Sequence, residues 1–171
     1  MFSDIYLIRH GMPDRSKAIS YNTLPGPDLL ERGRAEARQA AVFLAHAGVE
    51  HILASPFARA TQTAEVLADV LGLPVTLTAL LQEHGPGEDF DAVRVRVRDL
   101  LSAAEDSPYA RVAFVSHGSP IRAALLELSK DKIDLRSHSY AGDNPAPTCG
   151  IWHVQRLDAN QLRFSLAFMP V

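Results

Sequence analysis

A single cysteine, Cys149, and a single tryptophan stand in the 171 residues, and no apolar run approaches the length of a membrane span. One thiol closes no intrachain disulfide, so nothing in the chain asks for an oxidising compartment. A span needs roughly 18 consecutive apolar residues. Asp4, Arg9 and His10 interrupt the amino terminus before any signal-like apolar stretch develops. A cytoplasmic protein is the expectation. Charge of either sign is also in short supply, with 17 Lys and Arg against 20 Asp and Glu and a net charge of −3. That balance lacks the basic surplus of a non-specific nucleic-acid or anionic-membrane binder, so neither partner is expected. The glycine-rich phosphate loops GxGxxG and GxxxxGK[ST] are missing, as is a GxSxG elbow around Ser116 or Ser119. No two histidines lie four apart on a helical pattern, and the remaining His and Glu candidates are widely separated. Neither a metal nor another cofactor is expected.

What is present is an ordinary supply of core-forming residues, 47% of the chain, enough for one domain over residues 1–171. "DIYLIR" (4–9) reads as a short buried strand. Residues 11–29 carry three prolines and two glycines and read as a long irregular segment, a length that in compact domains usually serves function. A helical stripe begins near Leu30 and stops by Gly48, with Gly33 an unfavourable interior residue. "VEHILAS" (49–55) predicts a second strand, "PFARATQTAEVLADVLG" (56–72) a second helix, and "LPVTLTALLQE" (73–83) a third strand. In "DFDAVRVRVRDLLSAAED" (89–106) valines and arginines alternate like a strand. Phe90, Val93, Val97, Leu100 and Leu101 nevertheless share a helical face, and no turn breaks the run. A helix is the preferred reading. "ARVAFVSHG" and "SPIRAALLELS" give the clearest strand and following helix, 131–150 is irregular again, and "IWHVQRL" with "QLRFSLAF" forms a terminal hairpin. Strands alternating with helices indicate an α/β domain with a largely parallel sheet and a mixed edge.

In such sheets ligands bind beyond the carboxyl ends of the strands. Those ends deliver Arg9-His10-Gly11, Ser55 to Arg59, Glu83-His84 and Ser116-His117-Gly118 to one rim. A lone histidine or arginine at a strand end is most often structural. Two His-Gly strand ends together with two arginines and a carboxylate fit phosphoryl transfer instead. Guanidinium groups match phosphate oxygens in bidentate fashion and stay charged. A neutral imidazole attacks phosphorus and divides the reaction through a covalent intermediate. A second histidine stabilises charge on the phosphoryl oxygens, and a carboxylic acid protonates the leaving oxygen, then activates water. A metal centre built from His10, Glu83, His84 and His117 is the competing use, disfavoured by the two nearby cations.

The same residues resemble the histidine phosphatase superfamily, the phosphoglycerate mutase-like family. "YLIRHGMPD" resembles its signature, "LLERGRAEA" a segment with recurring Leu30, Gly33 and Ala37, "ILASPFARATQTAE" its serine-proline stretch, "LLQE" the segment ending in the acid, and "VSHGSPIRAALLEL" the second histidine motif. The resemblance implies a three-layer α/β/α sandwich around a mostly parallel mixed sheet. It also implies His10 as nucleophile, Glu83 as proton donor, His117 as the second catalytic histidine and phosphate ligand, and Arg9 and Arg59 as phosphate-binding residues. Met12 and Pro13 depart from the commonest form of the motif. Asn22 stands where a phosphate-binding asparagine is often found, though at different spacing, and His84 departs from the usual residue after the acid. Mutases of this kind carry a long insertion between the glutamate and the second histidine, whereas Glu83 and His117 are separated by one helix and one strand. An open site hydrolyses its phosphohistidine. A metal-independent phosphomonoester hydrolase acting on a small molecule is therefore expected. Protein phosphohistidine phosphatase, mutase and catalytically silent phosphate-binding module are the alternatives. Met12, Asn22, His84, Arg136 and His138 are candidate substrate-rim residues. Tyr21 offers a further apolar contact, and Arg15 and Lys17 further positive charge. The sequence sets no oligomeric state.

Overall fold

The computed structural model describes all residues 1–171. Its elements are β1 (Asp4–Arg9), α1 (Glu31–Leu44), β2 (His51–Ala54), α2 (Ala58–Leu71), β3 (Val75–Leu77), α3 (Phe90–Asp106), β4 (Arg111–Ser116), α4 (Gly118–Ser129), β5 (Ile151–Asp158) and β6 (Gln161–Phe168). One six-stranded sheet runs in the order β3-β2-β4-β1-β5-β6. The first four of these strands are mutually parallel, β5 runs antiparallel to β1, and β6 at the edge runs antiparallel to β5.

Alternation along the central strands divides the core in two. Ile5 and Leu7 of β1 and Val112 and Phe114 of β4 face one way, into a cluster with Val93, Val97, Leu100 and Leu101 of α3 and Ile121 and Leu125 of α4. Tyr6, Ile8, Ala113 and Val115 face the other way, onto Ala37, Ala40, Ala41 and Leu44 of α1 and Ala60, Ala64 and Leu67 of α2. Because successive strand side chains point to opposite faces, an unbroken apolar strand demands a cover on both. The helix pairs α1/α2 and α3/α4 supply the covers, and the result is a three-layer α/β/α sandwich.

The ambiguous valine-arginine run is a helix. Val93 and Val97 are buried, Val95 is exposed, Asp89 caps the first turn by accepting from the Ala92 N–H at 2.8 Å, and the arginines find carboxylates on the outside, Arg94 and Arg98 on Glu127 and Arg96 on Glu88. The third strand is shorter than its apolar pattern predicts. β3 pairs with β2 over only three residues, and Thr78 then turns the chain, its side chain accepting from Leu80 N–H to cap a single 3-10 turn over Ala79–Leu81. Leu81 enters the core through that turn. Glu83 therefore follows a 3-10 turn and not a strand end. The first helix ends at Leu44, four residues before Gly48. No helix is long and apolar enough to cross a membrane.

Candidate active site

The chain leaves β1 through His10, whose backbone N–H continues the pairing with β4 by donating to the Ser116 carbonyl at 2.9 Å. Behind it the Gly11 N–H donates to Thr63 Oγ1 at 2.9 Å, and the Met12 N–H donates to the buried carboxylate of Glu36 at 3.0 Å. Those bonds fix the backbone on either side of the imidazole. His10 Nδ1 lies 2.8 Å from the Gly11 carbonyl. A carbonyl can only accept, so Nδ1 carries the ring hydrogen and Nε2 keeps its lone pair. Burial, followed by the charge on Arg59, holds the His10 pKa well below the usual histidine value. The ring is a neutral base with one free nitrogen.

Two donors converge on that nitrogen. Arg59 Nε donates to it at 3.3 Å, and the Tyr21 hydroxyl lies 3.4 Å away. Arg59 comes from the first turn of α2 and is 0% exposed. Its Nη1 donates to the Tyr21 carbonyl at 3.0 Å, and its guanidinium stacks 3.9 Å from the Tyr21 ring centroid. Arg9, at the end of β1, donates from Nη1 to the Ala146 carbonyl at 3.0 Å. His117, the residue after β4, lies with its ring 5.1 Å from that of His10 and its Nε2 2.8 Å from Ser55 Oγ. Burial, then the neighbouring His10 and Arg59, hold its pKa far down as well.

Three buried polar atoms around His10 have no protein partner: Arg9 Nε, Arg59 Nη2 and His117 Nδ1. Unpaired buried polar atoms are costly and uncommon. Three of them beside one free imidazole nitrogen make a cradle suited to an anion with several acceptor oxygens.

A cleft of about 740 Å³ opens over this cradle, lined by Arg9, His10, Met12, Glu83 and His84 together with residues of both irregular segments. Glu83 projects into it, its Oε1 accepting from the His84 backbone N–H at 3.0 Å. Its charge reaches Arg9 and Arg59. The His84 ring bridges Glu83 Oε1, at 3.3 Å, and Ser119 Oγ, at 3.0 Å. The structure thus brings together Arg9, His10, Arg59, Glu83 and His117, with Met12 and His84 on the wall. It does not bring in Asn22, Arg136 or His138. Asn22 is exposed, Arg136 is 90% exposed and paired with Asp134, and His138 packs edge-on against Trp152. Cys149 is buried, which pushes its thiol far above the ordinary value and leaves it no nucleophile.

Four residues at the site escape a sequence reading. Arg32, Tyr140 and Asn144 line the cleft, the last two from a loop closed by a Tyr140–Asn144 bridge. Glu36 holds Met12 from behind. Only Glu36 left a signal, a carboxylate on the same apolar helix face as Ala37, Ala40 and Ala41.

A model of the histidine phosphatase superfamily (branch 1) matches residues 5–85 and 83–146. Among curated proteins, a probable phosphoglycerate mutase of Erwinia tasmaniensis is 33% identical over 60% of this chain and 46% of its own length. The chain thus spans about half the length of that relative. A probable phosphoglycerate mutase of Photorhabdus laumondii is 32% identical over 67% of this chain and 69% of its own. Among solved structures, a mycobacterial glucosyl-3-phosphoglycerate phosphatase complexed with VO3 superposes with a TM-score of 0.74 at 22% identity, covering 98% of this chain and 99% of that one. A phosphoserine phosphatase variant of Entamoeba histolytica in complex with phosphoserine gives 0.68 at 17% identity, over 95% and 94%. At those identities the structural likeness is one of fold.

Proposed function

The chain belongs to the histidine phosphatase superfamily, and from that premise we propose that it is a metal-independent phosphomonoester hydrolase that forms a phosphohistidine on His10. The observation that carries the reading is the unprotonated Nε2 of a neutral, Nδ1-protonated imidazole, set among Arg9, Arg59 and His117, each of which keeps a buried polar atom without a partner. In the first step Nε2 attacks phosphorus. The N–P bond forms as the bond to the ester oxygen breaks, and a proton passes from the Glu83 carboxylic acid to that oxygen. The ring becomes cationic, and the Gly11 carbonyl on Nδ1–H stabilises it. Arg9 and Arg59 balance the charge of the phosphoryl oxygens. Ser55 Oγ accepts from the Phe57 N–H at 3.3 Å, and we assign its own hydrogen to the bond with His117 Nε2. That bond places the His117 ring hydrogen on Nδ1, the unpartnered atom, as a further donor to phosphate. In the second step the Glu83 carboxylate takes a proton from water, which attacks phosphorus and releases inorganic phosphate with His10 restored.

Hydrolysis is favoured over return of the phosphoryl group to a second acceptor by the short connection between the acid and the second histidine. Between Glu83 and His117 lie only α3 and β4, and the apolar face of α3 is spent on the core. Between Glu83 and His117 only His84 lines the cleft, so that stretch supplies no cover against water. The substrate is a small phosphomonoester that fits a cleft of this size.

Acid-stable quenching is unsuited to a phosphoramidate, so the test is a rapid alkaline quench with a radiolabelled aryl phosphate. Label is expected on His10, absent from a His10→Ala protein, with turnover surviving a strong chelator. Full turnover in His10→Ala, or loss of turnover on chelation, overturns the reading.

A further inference from the structure

We infer that the Tyr21 hydroxyl is a direct ligand of the transferring phosphoryl group, and that the remainder of Tyr21 holds the Arg59 guanidinium in place beside it. The inference rests on His10 being the phosphoryl acceptor. It concerns a residue in the irregular segment 11–29 that no motif marks.

One residue makes three separate contacts to the reacting centre. Its hydroxyl is 3.4 Å from His10 Nε2, its carbonyl accepts from Arg59 Nη1 at 3.0 Å, and its ring lies 3.9 Å from Arg59 Cζ. The opposite partner of the ring is Arg15, 4.1 Å from the centroid, which makes no ion pair or hydrogen bond through its side chain. Gly26, at φ +72°, lets the same segment fold closely over the guanidinium. A Cβ there would lie 2.9 Å from Arg59 Nη1, in a backbone region that side chains rarely adopt. The segment is therefore built around Arg59 with Tyr21 as its contact.

The hydroxyl's position is what makes it a ligand and not only a support. Nε2 holds a lone pair that accepts from Arg59 Nε and faces the Tyr21 hydroxyl. When phosphorus takes the lone-pair direction, that acceptor disappears and the phosphoryl oxygens stand beside the bond just formed, between Nε2 and the two donors. Arg59 Nε–H and Tyr21 O–H then each meet an oxygen with little movement. A donor already aimed where charge accumulates needs no reorganisation during the step. The ring between two guanidinium groups also stiffens the clamp, because cation-π contacts strengthen when shielded from water.

The experiment measures binding of inorganic phosphate by calorimetry to wild-type, Tyr21→Phe and Tyr21→Ala proteins, alongside kcat/KM on an aryl phosphate and the thermal midpoint. Tyr21→Phe keeps the ring on Arg59 and removes only the hydroxyl. Its phosphate affinity is expected to fall about tenfold, the size of one hydrogen bond to a charged group, with kcat/KM falling at least as far and the midpoint unchanged. Tyr21→Ala is expected to lose more of both, because Arg59 loses the nearer of its two stacked rings and keeps only Phe57, 4.7 Å away. Wild-type phosphate affinity in Tyr21→Phe overturns the inference even if His10 is phosphorylated normally. Weakened phosphate binding in a protein that turns over no phosphomonoester keeps Tyr21 as a ligand of bound phosphate while sinking the proposed activity.

Discussion

Gly11 and Gly33 meet backbone to backbone. A Cβ on Gly11 would lie 2.6 Å from the Gly33 carbonyl oxygen, and a Cβ on Gly33 would lie 2.4 Å from that of Met12. The helix α1 thus begins pressed against the chain leaving β1, and the Leu30 N–H donates to the Met12 carbonyl at 3.0 Å across the same contact. Gly33→Ala forces the two segments apart. Overpacking against backbone costs about 2 kcal/mol, and the displaced residue adjoins the His10-Gly11 turn. An unfolding free energy from denaturant titration lowered by that amount, with a larger than tenfold fall in kcat/KM, is expected. A variant with unchanged midpoint and turnover would show that the contact is dispensable.

That contact also shows where the sequence was informative and where it was not. The strand and helix pattern was legible because burial on both sheet faces leaves continuous apolar strands and one-sided helices, as in Ile5 to Ile8 and in Val93, Val97 and Leu100. The valine-arginine alternation was decided by its flanks, since three valines alternating with three arginines read alone as a strand. The strand read over 73–83 is present only as Val75–Leu77, because apolar residues at a sheet edge need not pair, and a threonine cap was enough to end β3. His10, Arg59 and His117 converge because they sit directly behind elements whose order is written locally. Tyr21, Tyr140 and Asn144 come from loops whose paths depend on long-range contacts, and no periodicity places them. Gly33 looked like a flaw in a helix and is a close approach.

Ser55→Ala tests the orientation of the second histidine. The hydroxyl bonds His117 Nε2 at 2.8 Å, and without it the ring is free to place its hydrogen on either nitrogen. Molecules that place it on Nε2 lose the Nδ1 donor to phosphate, and in all of them the ring loses an anchor. A fall of about tenfold in kcat/KM is expected, equivalent to one buried hydrogen bond. Ser55→Thr, which retains a hydroxyl, should recover part of it. Equal activity in Ser55→Ala and wild type contradicts the assigned tautomer.

The two buried histidines give stability a specific pH dependence. Both pKa values are held well below the ordinary value near 6.5 in the folded state. Above that pH the rings are neutral in folded and unfolded chains alike and contribute no slope. Below it the unfolded chain takes up two protons that the folded one refuses, so unfolding is favoured as pH falls. Each ring adds at most about 1.4 kcal/mol per pH unit. Thermal midpoints measured in phosphate-free buffer should hold steady from pH 8 to 7, values on the alkaline side of that threshold, and drop between roughly 6.5 and 5. His117→Asn should make the drop shallower. A midpoint that rises on acidification over this range contradicts burial of the neutral rings.

Glu83→Gln separates proton donation from general disruption. The amide keeps the size of the side chain and a carbonyl to accept from the His84 N–H, but it has no proton to give to an ester oxygen. An aryl phosphate leaves as a stabilised phenolate and needs little help, whereas an alkyl phosphate leaves as a strongly basic alkoxide. The substitution should therefore reduce kcat/KM for an alkyl phosphate at least a hundredfold, within the range typical of general acid catalysis, and for an activated aryl phosphate much less. Phosphohistidine formed from the aryl substrate should then accumulate, because the same carboxylate is the base for its hydrolysis. Equal losses for the two leaving groups, with no accumulation of phosphohistidine, would assign the proton transfer to another group, and His84, 3.3 Å from Glu83 and facing the same cleft, would be the next to replace.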